Sequence, residues 1–400
     1  MGFIVLSGRY VKQSGGYSAF IPETLLPLSP IPMDAELTKL LSDADRALGR
    51  LDGVASILPN PDLFVTMYVR QEAVFSSQIE GTQSTLEDIL QFEVDPKTNN
   101  APKDVREVVN HVISMNYGLD RLKELPLCLR LIREMHEILL KGARGENRSP
   151  GEFRKQQNWV GEKGSTIFTA AFVPPPVPDM LRLLDDLEHF LHDTTLPVLL
   201  HCGLAHAQFE TIHPFMDGNG RVGRALIAFI LCEREVLQRP LLYLSHYFKA
   251  HRAEYYDRLM AVRNESNWDG WLKFFLKGVF IVSQSATDTA RAILQMREDH
   301  RQSIIALAGN TSAMELRLLE FLFEQPMVSI RMVEKHLGCV YRTAGKVIDN
   351  LVSLGILREI TGQQRNRIYA YKPYIDIFDL LEYRINAGEN NNLMETKAIE

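Results

Sequence analysis

Residues 213–224 read HPFMDGNGRVGR, and this stretch, which lies between two helical patterns, decides the fold that the sequence predicts. The Gly218–Gly220 run is predicted to form a tight turn into a helix, because glycine adopts backbone conformations that are closed to other residues. Successive backbone N–H groups at the start of a helix bind anions. The forked guanidinium groups of Arg221 and Arg224, on the first helical turn, match phosphate oxygens. The turn is therefore a predicted phosphate-binding site.

Two further side chains of the stretch add chemistry that phosphoryl transfer needs. Asp217 precedes the turn and carries a carboxylate, the ligand that Mg²⁺ prefers. His213 ends the preceding helix and carries a group that accepts a proton near neutral pH. Each residue alone has an ordinary structural explanation, since turns, helix ends and solvated arginines are common. Their combination in one short stretch indicates an anion cradle, a positive clamp, a metal ligand and a base.

The stretch resembles the signature of the Fic (Fic/DOC) family, HPFx(D/E)GNGRxxR, at every fixed position. The resemblance extends to residues 205–212, 242–245 and 255–256, and it covers most of residues 20–290. It implies a Fic helical core with a small β-hairpin flap. Together with the C-terminal segment described below, the predicted fold class is mainly α, a Fic core followed by a winged helix-turn-helix domain.

The resemblance implies an activity and roles for these residues. Most family members transfer the AMP part of ATP to a hydroxyl side chain of a target protein and use Mg²⁺. His213 would deprotonate the target Ser, Thr or Tyr, Asp217 would bind Mg²⁺, and Arg224 would hold the γ-phosphate. Phe215 would anchor the loop in the core. The implied ATP-binding residues are His213, Gly218, Asn219, Gly220, Arg221, Val222, Gly223, Arg224, Tyr255 and Tyr256. Either tyrosine would border the adenine.

An irregular segment rich in glycine and proline, residues 142–178, precedes the stretch. Within it, Gln157–Gly161 and Thr166–Phe172 are predicted to form two short strands of a hairpin. The resemblance identifies this hairpin as the family's flap, whose edge would bind an extended segment of the target by strand addition. The implied target-binding residues are Val160, Gly161, Phe168 and Thr169.

A second short pattern lies far upstream, where residues 76–81 read SSQIEG. It resembles the family's inhibitory pattern (S/T)xxxE(G/N), matched at Ser76, Glu80 and Gly81. The pattern alone is equally typical of an ordinary helix end with a solvated glutamate. Because it accompanies the complete catalytic stretch, we expect Glu80 to pair with Arg224 and to occupy the space that the γ-phosphate needs. ATP would then bind with its α-phosphate out of line for attack.

The C-terminal segment differs from the rest in charge. Residues 327–372 hold eight Lys and Arg against three acids, whereas the chain as a whole has a net charge of −6. Helices over Ile330–Leu337 and Val340–Leu354, followed by strands over Leu357–Ile360 and Arg367–Tyr371, are typical of a winged helix. Such a domain binds DNA or serves as a protein-interaction or dimerisation module, and the sequence leaves both open.

Length and composition predict several domains in a protein of the cytoplasm. The 400 residues include four cysteines without a CxxC pair, which argues against a disulfide scaffold and a cysteine zinc site. No apolar run is long enough for a membrane span or a signal peptide. The predicted domains are an N-terminal helical region with the inhibitory motif (1–100), the Fic core (101–300), the winged helix (310–375) and a tail (376–400). Prolines make residues 1–34 an expected irregular segment.

The sequence leaves alternatives to AMP transfer open. Family members also transfer UMP, phosphocholine or a phosphate. A hypothesis of another class is a transcription regulator whose Fic core only senses nucleotide. The expected partners are ATP and a hydroxyl-bearing target protein, and a homodimer is left open.

Overall fold

The structure is a computed structural model that describes residues 7–26, 31–56, 61–94, 103–162, 164–308 and 312–378. It is a mainly helical protein with two small antiparallel sheets, which confirms the predicted fold class. No helix within these ranges is long and apolar enough to cross a membrane. The elements up to residue 308 are β1 (Gly8–Lys12), β2 (Ser18–Pro22), α1 (Ala35–Ser56), α2 (Pro61–Ile79), α3 (Leu86–Val94), α4 (Lys103–Arg121), α5 (Leu129–Leu140), α6 (Val177–Leu191), α7 (Val198–Ile212), α8 (Asn219–Glu233), α9 (Ser245–Ala250), α10 (Arg252–Glu265) and α11 (Trp268–Ala308).

Helices α7 and α8 form the centre of the core. Every residue from Leu199 to Ile212 is buried, as is every residue from Arg221 to Leu231. A helix that is apolar and buried on all sides belongs in the interior of a protein. Helices α1, α6 and α11 pack against α7, and α2, α4 and α5 pack against α8, so the loop between α7 and α8 lies at one end of this core.

The N-terminal segment is not irregular throughout, as the prolines had suggested. Strands β1 and β2 pair in antiparallel register from Gly8 opposite Pro22 to Lys12 opposite Ser18. Pro22 is the last residue of its strand, where proline is tolerated. The backbone N–H of Phe20 also donates to the carbonyl of Val173 at 2.9 Å, which attaches the hairpin to the segment that follows the flap.

The predicted flap strands are also wrong in extent. Among the described residues of the flap, a single bridge, Val160 opposite Phe172, pairs in the antiparallel manner of a hairpin. Turns replace the predicted ladder, because the indole N–H of Trp159 donates to the carbonyl of Ser165 at 3.0 Å and the N–H of Thr166 donates to Oγ1 of Thr169 at 2.9 Å. Lys163 in this segment lies outside the described residues.

Helices α9 and α10 follow one another closely but are two separate helices. They meet at His251, whose φ of −110° and ψ of 38° lie outside the helical region. No glycine or proline marks this break, so the sequence pattern did not indicate it. Helix α11 then runs from the core to the C-terminal domain and packs along α1.

The C-terminal domain consists of helices and a three-stranded sheet in the order β3-β5-β4. The strands pair in antiparallel fashion, as in a winged helix, and Gly338 with φ 66° ends the first of the two predicted helices. Of the linker predicted around Ala308–Ser312, residues 309–311 lie outside the described residues. The elements are α12 (Ala313–Glu324), β3 (Met327–Ser329), α13 (Ile330–Leu337), α14 (Tyr341–Ser353), β4 (Arg358–Glu359) and β5 (Ile368–Ala370).

Candidate active site

The loop that joins α7 to α8 has a left-handed residue at each end. His213 ends α7 with φ 50°, and Gly218 precedes α8 with φ 79°. A left-handed residue that is not glycine costs about 1–3 kcal/mol and persists only where its surroundings hold it. Two donors hold His213 here: its carbonyl accepts from Nε of Arg154 at 3.0 Å and from Nδ2 of Asn158 at 3.3 Å.

Asn219 closes the loop upon itself. Its Oδ1 accepts from the backbone N–H of Phe215 and its Nδ2 donates to the carbonyl of Phe215, both at 2.8 Å. The side chain is therefore committed to the loop, and only its backbone N–H is left to face a ligand at the start of α8.

His136 supports the loop from below, and the sequence pattern did not single it out. Its ring stacks on buried Phe215 with centroids 3.7 Å apart. Its Nδ1 accepts from the N–H of Gly151 at 2.9 Å, so Nε2 carries the proton and donates to the carbonyl of Asp217 at 3.0 Å. Burial lowers the pKa of His136 to about 4, which keeps it neutral.

The imidazole of His213 is neutral as well. Burial, and then the charge of Arg263, lower the pKa of His213 to about 4. Nδ1 is buried and makes no hydrogen bond to any described residue. A neutral imidazole at pH 7 accepts a proton, as a general base must.

Arg154 links the loop to the base of the flap. It is almost fully buried, its Nη2 donates to the carbonyl of Pro175 at 2.5 Å, and its backbone N–H donates to the carbonyl of Pro214 at 2.8 Å. Burial lowers the pKa of this guanidinium to about 10. A buried arginine bonded to carbonyls positions two segments, and no helical or strand periodicity in the sequence indicates such a role.

Asp217 and Arg221 stand on either side of the turn. Asp217 is a third exposed, its Oδ1 accepts from the N–H of Gly218 at 2.7 Å, and it lies 3.6 Å from Nη2 of Arg221. Arg221 is 2% exposed, yet its Nε and Nη1 have no hydrogen-bond partner in the described part of the chain. The described residues contain no group of three or more His, Cys, Asp or Glu side chains placed for a metal ion.

Glu80 and Arg224 form a salt bridge, as the inhibitory pattern predicts. Oε1 of Glu80 accepts from Nη2 of Arg224 at 2.8 Å. Ser76 completes the set, since Nε of Arg224 donates to its Oγ and Nη2 donates to its carbonyl, both at 2.9 Å. Gly220 lies directly beneath the carboxylate, so that a Cβ there would collide with Oε1 of Glu80. The carboxylate therefore occupies the N-terminal end of α8.

The charges of this pair stabilise one another. Burial acts to raise the pKa of Glu80, but the guanidinium of Arg224 outweighs it, so the pKa of Glu80 is lowered. Burial acts to lower the pKa of Arg224, and the charge of Glu80 more than reverses this, so the pKa of Arg224 is raised. The pair is fully ionised at neutral pH.

The two candidate adenine residues differ in position. Tyr255 is 1% exposed and its hydroxyl is bonded to Nε2 of His206 at 2.9 Å, so it belongs to the core and does not border an open site. Tyr256 is partly exposed, and the guanidinium of Arg252 lies 5.4 Å from its ring centroid. Nε of Arg252 also donates to the carbonyl of Ile79 at 3.1 Å, at the last residue of α2.

Val222 and Gly223 are likewise buried inside α8. The N–H of Val222 donates to the carbonyl of Gly218, and the carbonyl of Gly223 is bonded to Nδ1 of His206 at 2.8 Å. These two backbone groups are thus bonded inside the protein, and ATP contact by Val222 and Gly223 stays a prediction from the resemblance. On the flap, Val160 is half-buried and Gly161, Phe168 and Thr169 are exposed.

Three protein-family models match this chain, and one of them includes the loop between α7 and α8. A model described as the Fic/DOC family N-terminal region matches residues 38–120, and one described as the Fic/DOC family matches residues 126–231, which include the whole loop. The chain therefore contains segments that match the N-terminal and central models of the Fic/DOC family. A third model, described as an HTH DNA binding domain, matches residues 316–370 and so covers α12 to β5.

Related proteins of the Fic family are similar over part of their length. A probable protein adenylyltransferase of Aquifex aeolicus is 28% identical over 192 residues, which are 47% of this chain and 56% of the relative. Protein adenylyltransferase Fic of Drosophila virilis is 32% identical over 129 residues, 31% of this chain and 24% of the relative. The chain thus covers less than two thirds of either protein.

A solved Fic structure supports the fold. The crystal structure of a Fic family protein from Desulfovibrio desulfuricans aligns with 86% of this chain and 97% of its own, with a TM-score of 0.55 and 18% sequence identity.

Proposed function

We propose that the chain is a protein adenylyltransferase, which transfers AMP from ATP to a hydroxyl side chain of a target protein, and that Glu80 inhibits this activity. The salt bridge between Glu80 and Arg224 carries the proposal, because it puts a carboxylate where an anionic ligand would otherwise bind. The adenylyltransferase names of the relatives support the choice of AMP.

The phosphate site would be the N-terminal end of α8. The phosphates would be bound there by Nε and Nη1 of Arg221, which have no hydrogen-bond partner among the described residues, by the backbone N–H groups after Gly218, and by the guanidinium of Arg224. Displacing the carboxylate of Glu80 would free Arg224 for the γ-phosphate. Tyr256, beside the end of α2, is our candidate for the adenine contact.

His213 would act as the general base. Its neutral imidazole would take the proton of the target hydroxyl while that oxygen attacks the α-phosphorus of ATP. The bond from the α-phosphorus to the bridging oxygen would break, and pyrophosphate would leave. The bonds from Arg154 and Asn158 to the carbonyl of His213 would keep the imidazole at its place in the loop.

Asp217 fits the role of a magnesium ligand. It is a partly exposed carboxylate beside the phosphate site, and one carboxylate with phosphate oxygens is a usual environment of Mg²⁺. When bound there, Mg²⁺ would offset the negative charge of the phosphates. The target segment would lie along the flap near Val160, Gly161, Phe168 and Thr169.

The position of the radiolabel distinguishes AMP transfer from its alternatives. The Glu80→Gly variant should label protein with ATP radiolabelled at the α-phosphate and should not do so with ATP radiolabelled at the γ-phosphate. UTP radiolabelled at the α-phosphate should label less than ATP. Label from the γ-phosphate would indicate phosphate transfer, and no label from any nucleotide would favour a nucleotide sensor.

A second proposed function belongs to the C-terminal domain, which we infer binds DNA through α14. The start of this helix is open, since Val340 and Tyr341 are 66% and 52% exposed, and Arg342 and Lys346 are exposed on the same helix. Positive side chains on an open helix match the phosphates and base edges of a DNA groove. The Arg342→Ala and Lys346→Ala variants should each have a lower affinity for DNA than wild type, and that affinity should depend less steeply on salt concentration. An affinity equal to that of wild type would refute the proposal.

A further inference from the structure

Glu107 on α4 is a buried carboxylate that neither the motif nor the inhibitory pattern includes. Its side chain is 2% exposed, and its Oε2 has no hydrogen-bond partner among the described residues. The nearest cations are Nη1 of Arg221 at 3.7 Å and Nε of Arg144 at 3.5 Å, both beyond ordinary hydrogen-bond length. A buried acidic group without hydrogen bonds is costly, so its presence requires a physical reason.

Arg221, like Glu107, is a buried charged residue with incomplete hydrogen bonding among the described residues. Its guanidinium lies between two carboxylates, Glu107 on one side and Asp217 at 3.6 Å on the other, and it is hydrogen-bonded to neither. An arginine has five donors in a rigid fork, and Nε and Nη1 here are buried without a hydrogen-bond partner in the part of the chain that the structure describes. A guanidinium held at ion-pair distance from two opposing charges keeps its donors available for a third anion.

Asp217 cannot serve both Arg221 and a metal equally well. If Asp217 were the only nearby carboxylate, Arg221 would move onto it, because the two lie on adjacent turns of the same segment. A direct pair would consume the donors of Arg221 and neutralise the carboxylate of Asp217. A second negative charge on the opposite side prevents this movement.

We infer that Glu107 is a positioning residue, which holds Arg221 away from Asp217 so that Asp217 remains free for Mg²⁺ and Arg221 remains free for phosphate. The inference rests on the proposed function for the identity of the two ligands. It adds a residue from α4, outside the loop, to the set that prepares the phosphate site.

Arg144 offers a matched control. It is the other cation beside Glu107, but it is 61% exposed, and exposed ion pairs contribute little. If Glu107 served only to pair with Arg144, loss of either charge would have the same small effect. If Glu107 positions Arg221, only the loss of Glu107 alters ligand binding.

The test measures binding, so it does not depend on transfer. In the Glu80→Gly background, calorimetry measures the affinity for ATP over a series of Mg²⁺ concentrations. The value to compare is the Mg²⁺ concentration that gives half of the full increase in ATP affinity. Glu107→Gln should raise this concentration about tenfold or more, the usual loss when a group supporting a metal ligand is changed. Arg144→Gln should leave it unchanged, and Glu107→Asp should raise it less than Glu107→Gln.

Three outcomes would count against the inference. An unchanged Mg²⁺ requirement in folded Glu107→Gln would refute it directly. If Glu107→Gln and Glu107→Asp both fail to fold, as judged by circular dichroism, Glu107 serves the fold and the inference is rejected. If the Glu80→Gly parent binds no ATP, the proposed function itself fails. If the parent binds ATP normally and Glu107→Gln has the parental Mg²⁺ requirement, only the inference about Glu107 fails.

A different set of contacts joins the C-terminal domain, together with the residues that follow it up to Phe378, to α2, the helix that ends at Ile79, directly before Glu80. Nη1 of Arg70 donates to the carbonyl of Glu324 on α12 at 3.1 Å, and Nε2 of Gln71 donates to the carbonyl of Phe378 at 3.1 Å. The ring of Phe378 packs edge-on against Tyr68, with centroids 5.4 Å apart. Three consecutive turns of α2 thus connect the domain to Ser76 and Glu80.

We propose that this interface sets the strength of the inhibition. The contacts of Ser76 and Glu80 with Arg224 depend on the position of α2. Residues 68–71 of the same helix contact the C-terminal domain and Phe378 through two hydrogen bonds and one ring contact. A partner on the open face of α14, DNA by the proposal above, would act on the Glu80–Arg224 pair through this interface. The proposal rests on the proposed inhibitory role of Glu80. Only if Glu80 is inhibitory does a weaker interface increase AMP transfer.

The test compares the effect of Phe378→Ala on AMP transfer in wild type with its effect in the Glu80→Gly variant. Phe378→Ala removes a fully buried ring from the interface and should increase AMP transfer severalfold in the wild-type background. It should add nothing in the Glu80→Gly background, where there is no inhibition left to relieve. A simple loss of stability would lower transfer in both backgrounds, and that result, or an equal gain in both, would overturn the proposal. Lys335→Ala, an exposed change in the same domain, is the control.

Discussion

Oε1 of Glu80 lies 2.8 Å from Nη2 of Arg224, although the two residues are 144 positions apart in the chain. The exposures of the two side chains are unequal: Arg224 is 2% exposed and Glu80 is 34% exposed. The arginine therefore belongs to the core, where Ser76 also binds it, whereas the carboxylate lies at the surface end of the pair. If the proposed inhibition is right, Glu80 is the member of the pair that a ligand or a movement of α2 would displace.

His213→Ala should abolish transfer without loss of ATP binding. The imidazole would act on the target hydroxyl, while the phosphates would be held by α8 and its arginines. A positioned base contributes about 10²–10⁴-fold, so transfer by the Glu80→Gly, His213→Ala double variant should fall at least about a hundredfold below its parent. Label transfer and calorimetry with ATP measure the two properties separately. Transfer above a tenth of the parental rate would remove His213 from the mechanism.

Asp217→Asn should remove the Mg²⁺ dependence of transfer while keeping the size of the side chain. The charge of the proposed metal ligand is lost, and its Oδ1 still accepts from Gly218. Transfer in the Glu80→Gly background should drop by at least about tenfold at millimolar Mg²⁺. Rates measured over a Mg²⁺ series decide the matter, since a variant with the parental curve would place the metal elsewhere.

The pH profile of transfer should lack a break near the ordinary pKa of histidine. Burial lowers the pKa of His213 to about 4, so its imidazole stays unprotonated as the pH falls from 8 to 5. Protonation, and loss of the base, is expected only as the pH approaches 4. Initial rates in the Glu80→Gly background between pH 8 and 5, each corrected by the His213→Ala variant, test this. A decline centred between pH 6 and 7 would show that His213 titrates normally.

Asn219→Ala should destabilise the protein. The backbone N–H of Phe215 would lose its acceptor in the core, which costs about 1–3 kcal/mol, whereas the carbonyl of Phe215 keeps Nδ2 of Asn158 as a donor at 2.8 Å. Urea unfolding gives the change in free energy of unfolding. Asn264→Ala is the matched control, because this exposed asparagine accepts one bond from exposed Tyr10 and its loss should have little effect.

The sequence predicted best those parts of the site that are local. Gly218 and the arginines after it act through their spacing on one turn, so a short pattern contains their geometry. The pairing of Glu80 with Arg224 came from the resemblance and could not be derived from spacing. His136, Arg154 and Glu107 were missed because each reaches the loop from a distant segment, and a buried polar residue has no periodic signature.

The errors in secondary structure also have physical causes. The hairpin that ends at Pro22 was missed because the prolines that exclude a helix do not exclude a short edge strand. The break at His251 carries no glycine or proline. The flap was predicted as two strands of a hairpin, but Trp159 and Thr166 bond within the turn, and the described residues of the flap keep one bridge, between Val160 and Phe172.

The initial rate of AMP transfer by Glu80→Gly, compared with wild type, tests the central claim most directly. Removing the carboxylate frees the guanidinium of Arg224 for the γ-phosphate and removes a like charge that faces it. Transfer should increase, on the order of tenfold or more for a coupling of this kind, and the Glu80→Gly, Arg224→Ala double variant should lose the gain. If Glu80→Gly transfers AMP no faster than wild type and binds ATP no more tightly, Glu80 is not inhibitory and the account is wrong.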